Sequence, residues 1–170
     1  VSGGTMGAEK AKLAIMVGGQ KRIFNKVKNL LSTMGKVTYV GKTGSGQIAK
    51  LANQAIVGIT IGAVSEALIL AKAAGANPKA VREAIKTGFA GSPILENHGN
   101  RILNNNFKAG GKCSTQLKDM KNIIETSRDY NIHLPISNKI KKLYATIVKQ
   151  GKSNLDHSAL YLLLKRFKKY

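Results

Sequence analysis

The chain has 170 residues, 43% of them hydrophobic, with 28 Lys and Arg against 8 Asp and Glu for a formal charge of +20. That is enough for one ordinary core, or one core and part of a second. A single cysteine, Cys113, excludes an internal disulfide framework and fits a reducing compartment such as the cytoplasm. No run of eighteen apolar residues occurs, because Asn53, Gln54, Ser65, Glu66 and Lys72 interrupt the stretch from Ala52 to Ala74, so no membrane span is expected. The start, Val1-Ser2-Gly3-Gly4, has neither an initiating methionine nor a basic segment leading into an apolar one, and no secretory signal is read there.

Residues 1–43 read as α/β. Leu13-Ala-Ile-Met-Val17 is a short buried strand closed by Gly18-Gly19. Ile23, Val27, Leu30, Leu31 and Met34 recur at helical spacing, with Gly35 as the stop. Lys36-Val-Thr-Tyr-Val40 is a second strand, ended by Gly41. Two strands and a helix are too small a core to stand alone, so this segment reads as the end of a larger sheet.

From residue 44 to residue 170 every periodic segment is helical. The first helix is predicted from about Gln47 to Ala74. Its core stripe is predicted as Ile48, Leu51, Ala55, Ile59, Ala63, Ala67, Leu70 and Ala74, and the small residues Gly58, Gly62, Ala63 and Ala67 allow close packing. Asn77-Pro78 and Ser92-Pro93 are N-cap and first-turn proline pairs opening two helices. Asn104 to Gly111 reads as a loop. Ser114 or Thr115 is the expected cap of a helix reaching about Tyr130. Pro135 opens another, ended by Gly151, and Asp156 caps the last, which carries Leu160, Leu163, Leu164 and Phe167.

The basic residues are spread from Lys10 to Lys169. Only Lys139 to Lys142 and Lys165 to Lys169 are dense, and both fall late on predicted helices, where cations complement the macrodipole. With aromatics at 5%, no stacking platform for bases is available. This argues for a solvated basic surface rather than a nucleic-acid interface. Gly41-Lys42-Thr43 is not a phosphate loop, since Lys36 stands where that motif needs glycine. Gly41, Gly44 and Gly46 have the dinucleotide fingerprint's glycine spacing reversed. His98, His133, His157 and Cys113 lack metal-ligand spacing, and no metal site is predicted. The adjacent Asp156-His157-Ser158 cannot converge on one atom as a hydrolase triad would.

Lys50, Asn53 and Gln54, at i, i+3 and i+4 after the Gly44-Ser45-Gly46 break, share one helix face. An ammonium and two carboxamides beside an expected glycine hinge suit an oxygen-rich small molecule. Five segments in order carry a resemblance to a known family: Val1-Ser2-Gly3-Gly4-Thr5-Met6-Gly7-Ala8 with Met16-Val17-Gly18-Gly19, Lys50-Leu51-Ala52-Asn53, Ser65-Glu66-Ala67-Leu68, Gln116-Leu117-Lys118-Asp119 and Asp156-His157-Ser158-Ala159-Leu160. Together they resemble the β-hydroxyacid dehydrogenases along the whole chain, with the Lys-Leu-Ala-Asn-Gln run most like the branch that reduces tartronate semialdehyde (2-hydroxy-3-oxopropionate).

The resemblance implies a mostly α protein. Residues 1–43 would be the end of an NAD(P)-binding Rossmann domain, present as a short α/β remnant. Residues 44–170 would be an all-helical, 6-phosphogluconate-dehydrogenase-like domain for substrate binding and dimerisation. It implies Lys50 as the catalytic lysine, with Ser2, Gly3, Gly4, Asn53 and Gln54 binding substrate. Lys118 and Asp119 would lie at the cofactor, NAD or NADP. The implied partners are a short carboxylate substrate and further copies of the chain. Since the family's Gly-x-Gly-x-x-Gly is absent, the chain is expected to be a fragment that is inactive alone. The implied reaction interconverts a short β-hydroxy acid and its oxo form. 3-Hydroxyisobutyrate is the second candidate substrate, and a non-catalytic dimerisation or polyanion-binding module is the alternative of a different class.

Overall fold

A computed structural model describes residues 1–167; of the basic run from Lys165, Lys168 and Lys169 therefore lie outside the described residues. Among those residues, contacts divide the chain into two compact units, Val1–Gln54 and the residues from Ala55 on.

The first unit contains α1 (Gly4–Glu9), β1 (Leu13–Gly18), α2 (Lys21–Ser32), β2 (Gly35–Gly41) and the first turns of α3 (Ser45–Ala73). β1 and β2 pair in parallel, Leu13 opposite Gly35 through Val17 opposite Tyr39, with α2 as the crossover. Gly35 is needed at the first pair, because a Cβ there would lie 2.1 Å from the Leu13 carbonyl oxygen. It therefore opens β2 rather than merely stopping α2. The predicted apolar stripe of α2 is corrected in part: Phe24 is its buried residue, packed 5.1 Å from the Tyr39 ring. Ile23 and Leu30 are exposed. α1 was not predicted; it is six residues long and buries none of them.

In the second unit the rest of α3 is followed by α4 (Pro78–Ile85), α5 (Pro93–Leu103), α6 (Cys113–Asp129), α7 (Pro135–Ile147) and α8 (Leu160–Leu164). A π-helical turn at Val148–Lys152 and a 3-10 turn at His157–Ala159 join the last two. At 29 residues, α3 is about 43 Å long. By length and composition alone it could cross a bilayer, a test that the core helix of a bundle also passes. Its buried residues are Gly58, Ile61, Gly62, Val64, Ser65, Leu68 and Ala71. This overturns the predicted stripe, from which Ile48 and Leu70 are exposed. α3 is apolar nearly all round, so period alone could not choose a face.

What chose the face is close approach. A Cβ on Gly58 would lie 2.7 Å from Gln116 Nε2 and 3.0 Å from Met120 Sδ, and one on Gly62 would lie 2.9 Å from Ile140 Cδ1. Two of the predicted small residues thus let α6 and α7 reach the α3 backbone, while Ala63 faces outward. Met120, Ile123, Ile140, Tyr144, Ile147, Leu160 and Leu163 complete the core.

The helices opened by Asn77-Pro78 and Ser92-Pro93 are capped as predicted. Asn77 Oδ1 accepts from the Lys79 N–H at 3.0 Å, and Ser92 Oγ from the Leu95 N–H at 3.1 Å. α6 is not capped by Ser114 or Thr115. Its first N–H groups, on Cys113 and Ser114, donate to the carbonyls of Leu155 and Ser153, so the chain before α8 takes the place of a side-chain cap. Phe167 falls beyond α8 and is exposed.

Candidate functional site

Two polar constellations stand out, one in each unit. The first lies where the carboxyl end of β1 meets the start of α3. A Cβ on Gly18 would sit 2.6 Å from the Gly46 nitrogen and 2.7 Å from the Lys42 oxygen; one on Gly46 would sit 2.7 Å from the Met16 oxygen. Strand end and helix start therefore touch backbone to backbone. The expected hinge is corrected: Gly46 lies inside the first turn of α3, and only Gly44, at φ 92°, holds a left-handed conformation at the junction.

Beside this contact lies a cavity of about 360 Å³, lined by Met16, Val17, Gly18, Gly44, Gly46 and Lys50 among others. Lys50 Nζ donates to Gln54 Oε1 at 3.0 Å, and Asn53 Nδ2 donates to the same oxygen at 2.9 Å. The three predicted side chains thus form one cluster, and Gln54 holds both neighbours through a single acceptor. Ser2, Gly3 and Gly4 are not part of this cavity's lining. Ser2 is bridged to Ala14 through two backbone hydrogen bonds, and Gly3 and Gly4 begin α1 with φ of 136° and 62°. Lys118 and Asp119, on α6 in the second unit, pair with each other at 3.3 Å.

The second constellation centres on Asp156 and was missed by sequence reasoning, which saw only a cap. Asp156 is fully buried. Its Oδ1 accepts from the Ser158 N–H at 3.0 Å and the Ser158 hydroxyl at 2.6 Å. Its Oδ2 accepts from the N–H groups of Gly110 and Gly111 at 3.0 and 3.2 Å. Arg101 lies 3.8 Å away, and His98 Nδ1 lies 3.5 Å from Oδ1. Burial alone would raise this carboxyl's pKa. The contacts from His98, Ser158 and Gly110 outweigh it and hold the group well below the usual carboxylate range.

From His98 the contacts continue to His157 (Nε2 to Nε2, 3.2 Å) and on to Gln116 Oε1 (3.3 Å from His157 Nδ1). Burial, then the neighbouring His98, pushes the His157 pKa down to about 4. Cys113 donates to the Asp156 carbonyl at 3.3 Å, and burial followed by the Asp156 charge raises its thiol to about 12, far from a reactive thiolate.

His98, Asp156 and His157 bring ligand-type atoms within 4.8 Å of one another, a grouping that the sequence spacing did not reveal. The arrangement is a hydrogen-bonded chain rather than a metal cage. Both Asp156 oxygens are engaged by N–H and O–H donors, His98 Nε2 faces His157, and a guanidinium stands where a cation would be repelled. His98 Nδ1, 3.5 Å from Asp156 Oδ1, makes no hydrogen bond among the described residues.

The parallel β-α-β unit with glycine-gated contact to a long helix, followed by an all-helical bundle, is the architecture of a dehydrogenase of the 6-phosphogluconate dehydrogenase type. Residues 44–164 match the domain family described as "NAD-binding of NADP-dependent 3-hydroxyisobutyrate dehydrogenase", and residues 1–41 the "NAD binding domain of 6-phosphogluconate dehydrogenase". The chain belongs to the 3-hydroxyisobutyrate dehydrogenase family of β-hydroxyacid dehydrogenases. It is 45% identical to 2-hydroxy-3-oxopropionate reductase of Escherichia coli over 94% of this chain and 55% of that protein. Identity to a probable 3-hydroxyisobutyrate dehydrogenase-like mitochondrial protein of Arabidopsis thaliana is 37%, over 98% and 50% respectively. A crystal structure of 3-hydroxyisobutyrate dehydrogenase from Salmonella typhimurium shares the fold with a TM-score of 0.87 at 22% identity, over 95% of this chain and 57% of that one. The chain spans about half the length of the curated relatives it matches.

Proposed function

We propose that the protein takes part in reversible, NAD(P)-dependent hydride transfer between a short β-hydroxy acid and its oxo form, with 2-hydroxy-3-oxopropionate and glycerate as the preferred pair. The observation that carries this reading is Lys50: an ammonium on the wall of a cavity at the carboxyl end of a parallel strand, held by Gln54. Open α/β sheets bind their ligands at that end. A cavity of about 360 Å³ is near the lower end of ligand pockets, which run about 300–1,000 Å³, and suits a short acid.

The same residues fit one end of a dinucleotide. Gly18, Gly44 and Gly46 bring backbone to the cavity wall without side chains, and Lys118 and Asp119 are proposed to contact the cofactor. A nicotinamide held there would supply the hydride. As the hydride reaches the carbonyl carbon, the C=O electron pair moves onto oxygen; the Lys50 ammonium stabilises that charge and gives up a proton to it. In the oxidative direction the neutral amine takes the hydroxyl proton. Gln54 keeps Lys50 in place, since its oxygen accepts from both Lys50 and Asn53. Asn53 is then the carboxamide proposed to face substrate, and the Ser2 hydroxyl with the Gly3 and Gly4 backbone the groups proposed to receive its carboxylate, the Ser2 N–H being engaged with Ala14.

The higher identity to the E. coli reductase favours the oxopropionate pair over 3-hydroxyisobutyrate. The exposed Ile56 and Leu70 on α3 support self-association through the helical unit. The test is a steady-state assay of the protein expressed from its complete gene, with each acid and each cofactor. The expected result is a higher kcat/KM for 2-hydroxy-3-oxopropionate. Preference for 3-hydroxyisobutyrate would reverse the substrate assignment, and turnover of neither would remove the proposed reaction.

A further inference from the structure

A second cavity, of about 620 Å³, is built wholly from the helical unit. Its floor is apolar: Leu68 and Ile102 are buried there, and Leu103 and Tyr161 pack against the same cluster. Its rim is basic. Lys72 at the end of α3, Lys79 at the start of α4 and Lys165 after α8 line it, and no acidic residue does so among the described residues. None of the three lysines has an ion pair among the described residues. Lys165 Nζ stands 5.7 Å from the centroid of the Tyr161 ring.

Helix dipoles account for only part of this. Lys72 and Lys165 lie at helix C-termini, where a cation is favourable. Lys79 lies in the first turn of α4, which carries no acidic residue; there the dipole disfavours a cation. Three ammonium groups around one apolar hollow, one of them against the local dipole, are complementary to a multiply charged anion. Asn77 adds a donor to the rim: its Oδ1 is used in capping α4, which leaves its Nδ2 hydrogens for a ligand.

We infer that this cleft binds a small organic phosphate with an apolar or aromatic body, the phosphate among Lys72, Lys79 and Lys165 and the body on Leu68, Ile102, Leu103 and Tyr161. The cleft uses none of the residues proposed for hydride transfer, and the inference does not depend on that reading. A dianionic head explains the basic rim, and the apolar floor explains why inorganic phosphate alone would not fill the site.

The experiment is a titration of the protein expressed from its complete gene with phenyl phosphate, followed by ¹H–¹⁵N NMR, with inorganic phosphate and phenol as separate arms. Phenyl phosphate should bind at least about tenfold tighter than either part alone, with shifts centred on Leu68, Ile102 and Tyr161. The triple variant Lys72→Gln, Lys79→Gln, Lys165→Gln should weaken it about tenfold or more, with circular dichroism unchanged. The variant Lys139→Gln, Lys141→Gln, Lys142→Gln removes equal charge from α7 and should leave affinity within about twofold. Equal weakening by both triples would assign the effect to net charge and overturn the site. So would shifts elsewhere, or phenyl phosphate binding no tighter than phosphate.

Discussion

The Lys50 cluster and the Asp156 knot are both polar, but they are assembled in opposite ways. Lys50, Asn53 and Gln54 come from little more than one turn of one helix and line or adjoin an open cavity. Asp156 draws its partners from α5, the loop before α6 and its own 3-10 turn, and is sealed from solvent. The first has groups that can act on a ligand. The second spends every lone pair of its carboxylate internally and so holds the helical unit together. Chemical variants should therefore separate the two cleanly, one set acting on turnover and the other on stability.

Asp156→Ala should have the largest effect. It leaves the N–H groups of Gly110, Gly111 and Ser158 and the Ser158 hydroxyl without their buried acceptor, and removes the charge beside His98 and Arg101. A loss of about 3–5 kcal/mol of unfolding free energy is expected for removing one partner of a buried charge network. Thermal or urea unfolding measures it; a change within experimental scatter would mean that the knot is not structural.

Acid titration probes the same knot more gently. The folded His157 pKa lies near 4, below the ordinary value of 6.5. A depressed group favours the folded state fully above its unfolded pKa, and the contribution is lost as pH falls. Stability should thus decline between pH 6.5 and 4, by up to roughly 3 kcal/mol from this residue. Asp156 adds a further loss at still lower pH, because its folded pKa is also depressed. His157→Gln should flatten the upper part of that profile. An unchanged slope would place the acid sensitivity elsewhere.

At the other constellation, Lys50→Ala in the protein expressed from its complete gene should lower kcat by at least ~10² while leaving unfolding nearly unchanged. Lys50→Arg keeps the charge but not the titratable amine, and should be nearly as impaired. An arginine variant within about threefold of wild-type kcat would leave Lys50 an electrostatic role only. Gln54→Ala should be the mildest, lowering kcat by about tenfold or less through loss of the contact that holds Lys50. A larger effect than that of Lys50→Ala would make Gln54, not Lys50, the principal group.

The sequence was most informative where a property is carried by neighbours along the chain. The strands at Leu13 and Lys36, the Asn77-Pro78 and Ser92-Pro93 helix starts, and the Lys50 face all follow from residues a few positions apart. It was least informative where an element is uniform or a contact is distant. The apolar surface of α3 offered several equivalent faces, and only the approach of Gln116 and Met120 to Gly58, and of Ile140 to Gly62, selected one. The start of α6 likewise depends on carbonyls about forty residues away, at Ser153 and Leu155.

The sequence by itself determined the class of fold, the helix starts that rest on local capping, and the single-turn cluster around Lys50, because each depends on short-range periodicity and side chain–backbone chemistry. Only the tertiary structure decided which face of α3 is buried, why Gly18 and Gly46 must lack side chains, and that His98, Arg101 and His157 gather around the buried Asp156 carboxylate. Those features depend on segments meeting across loops, and the energy that rewards such meetings, close packing and the saturation of buried polar groups, exists only once the chain has folded.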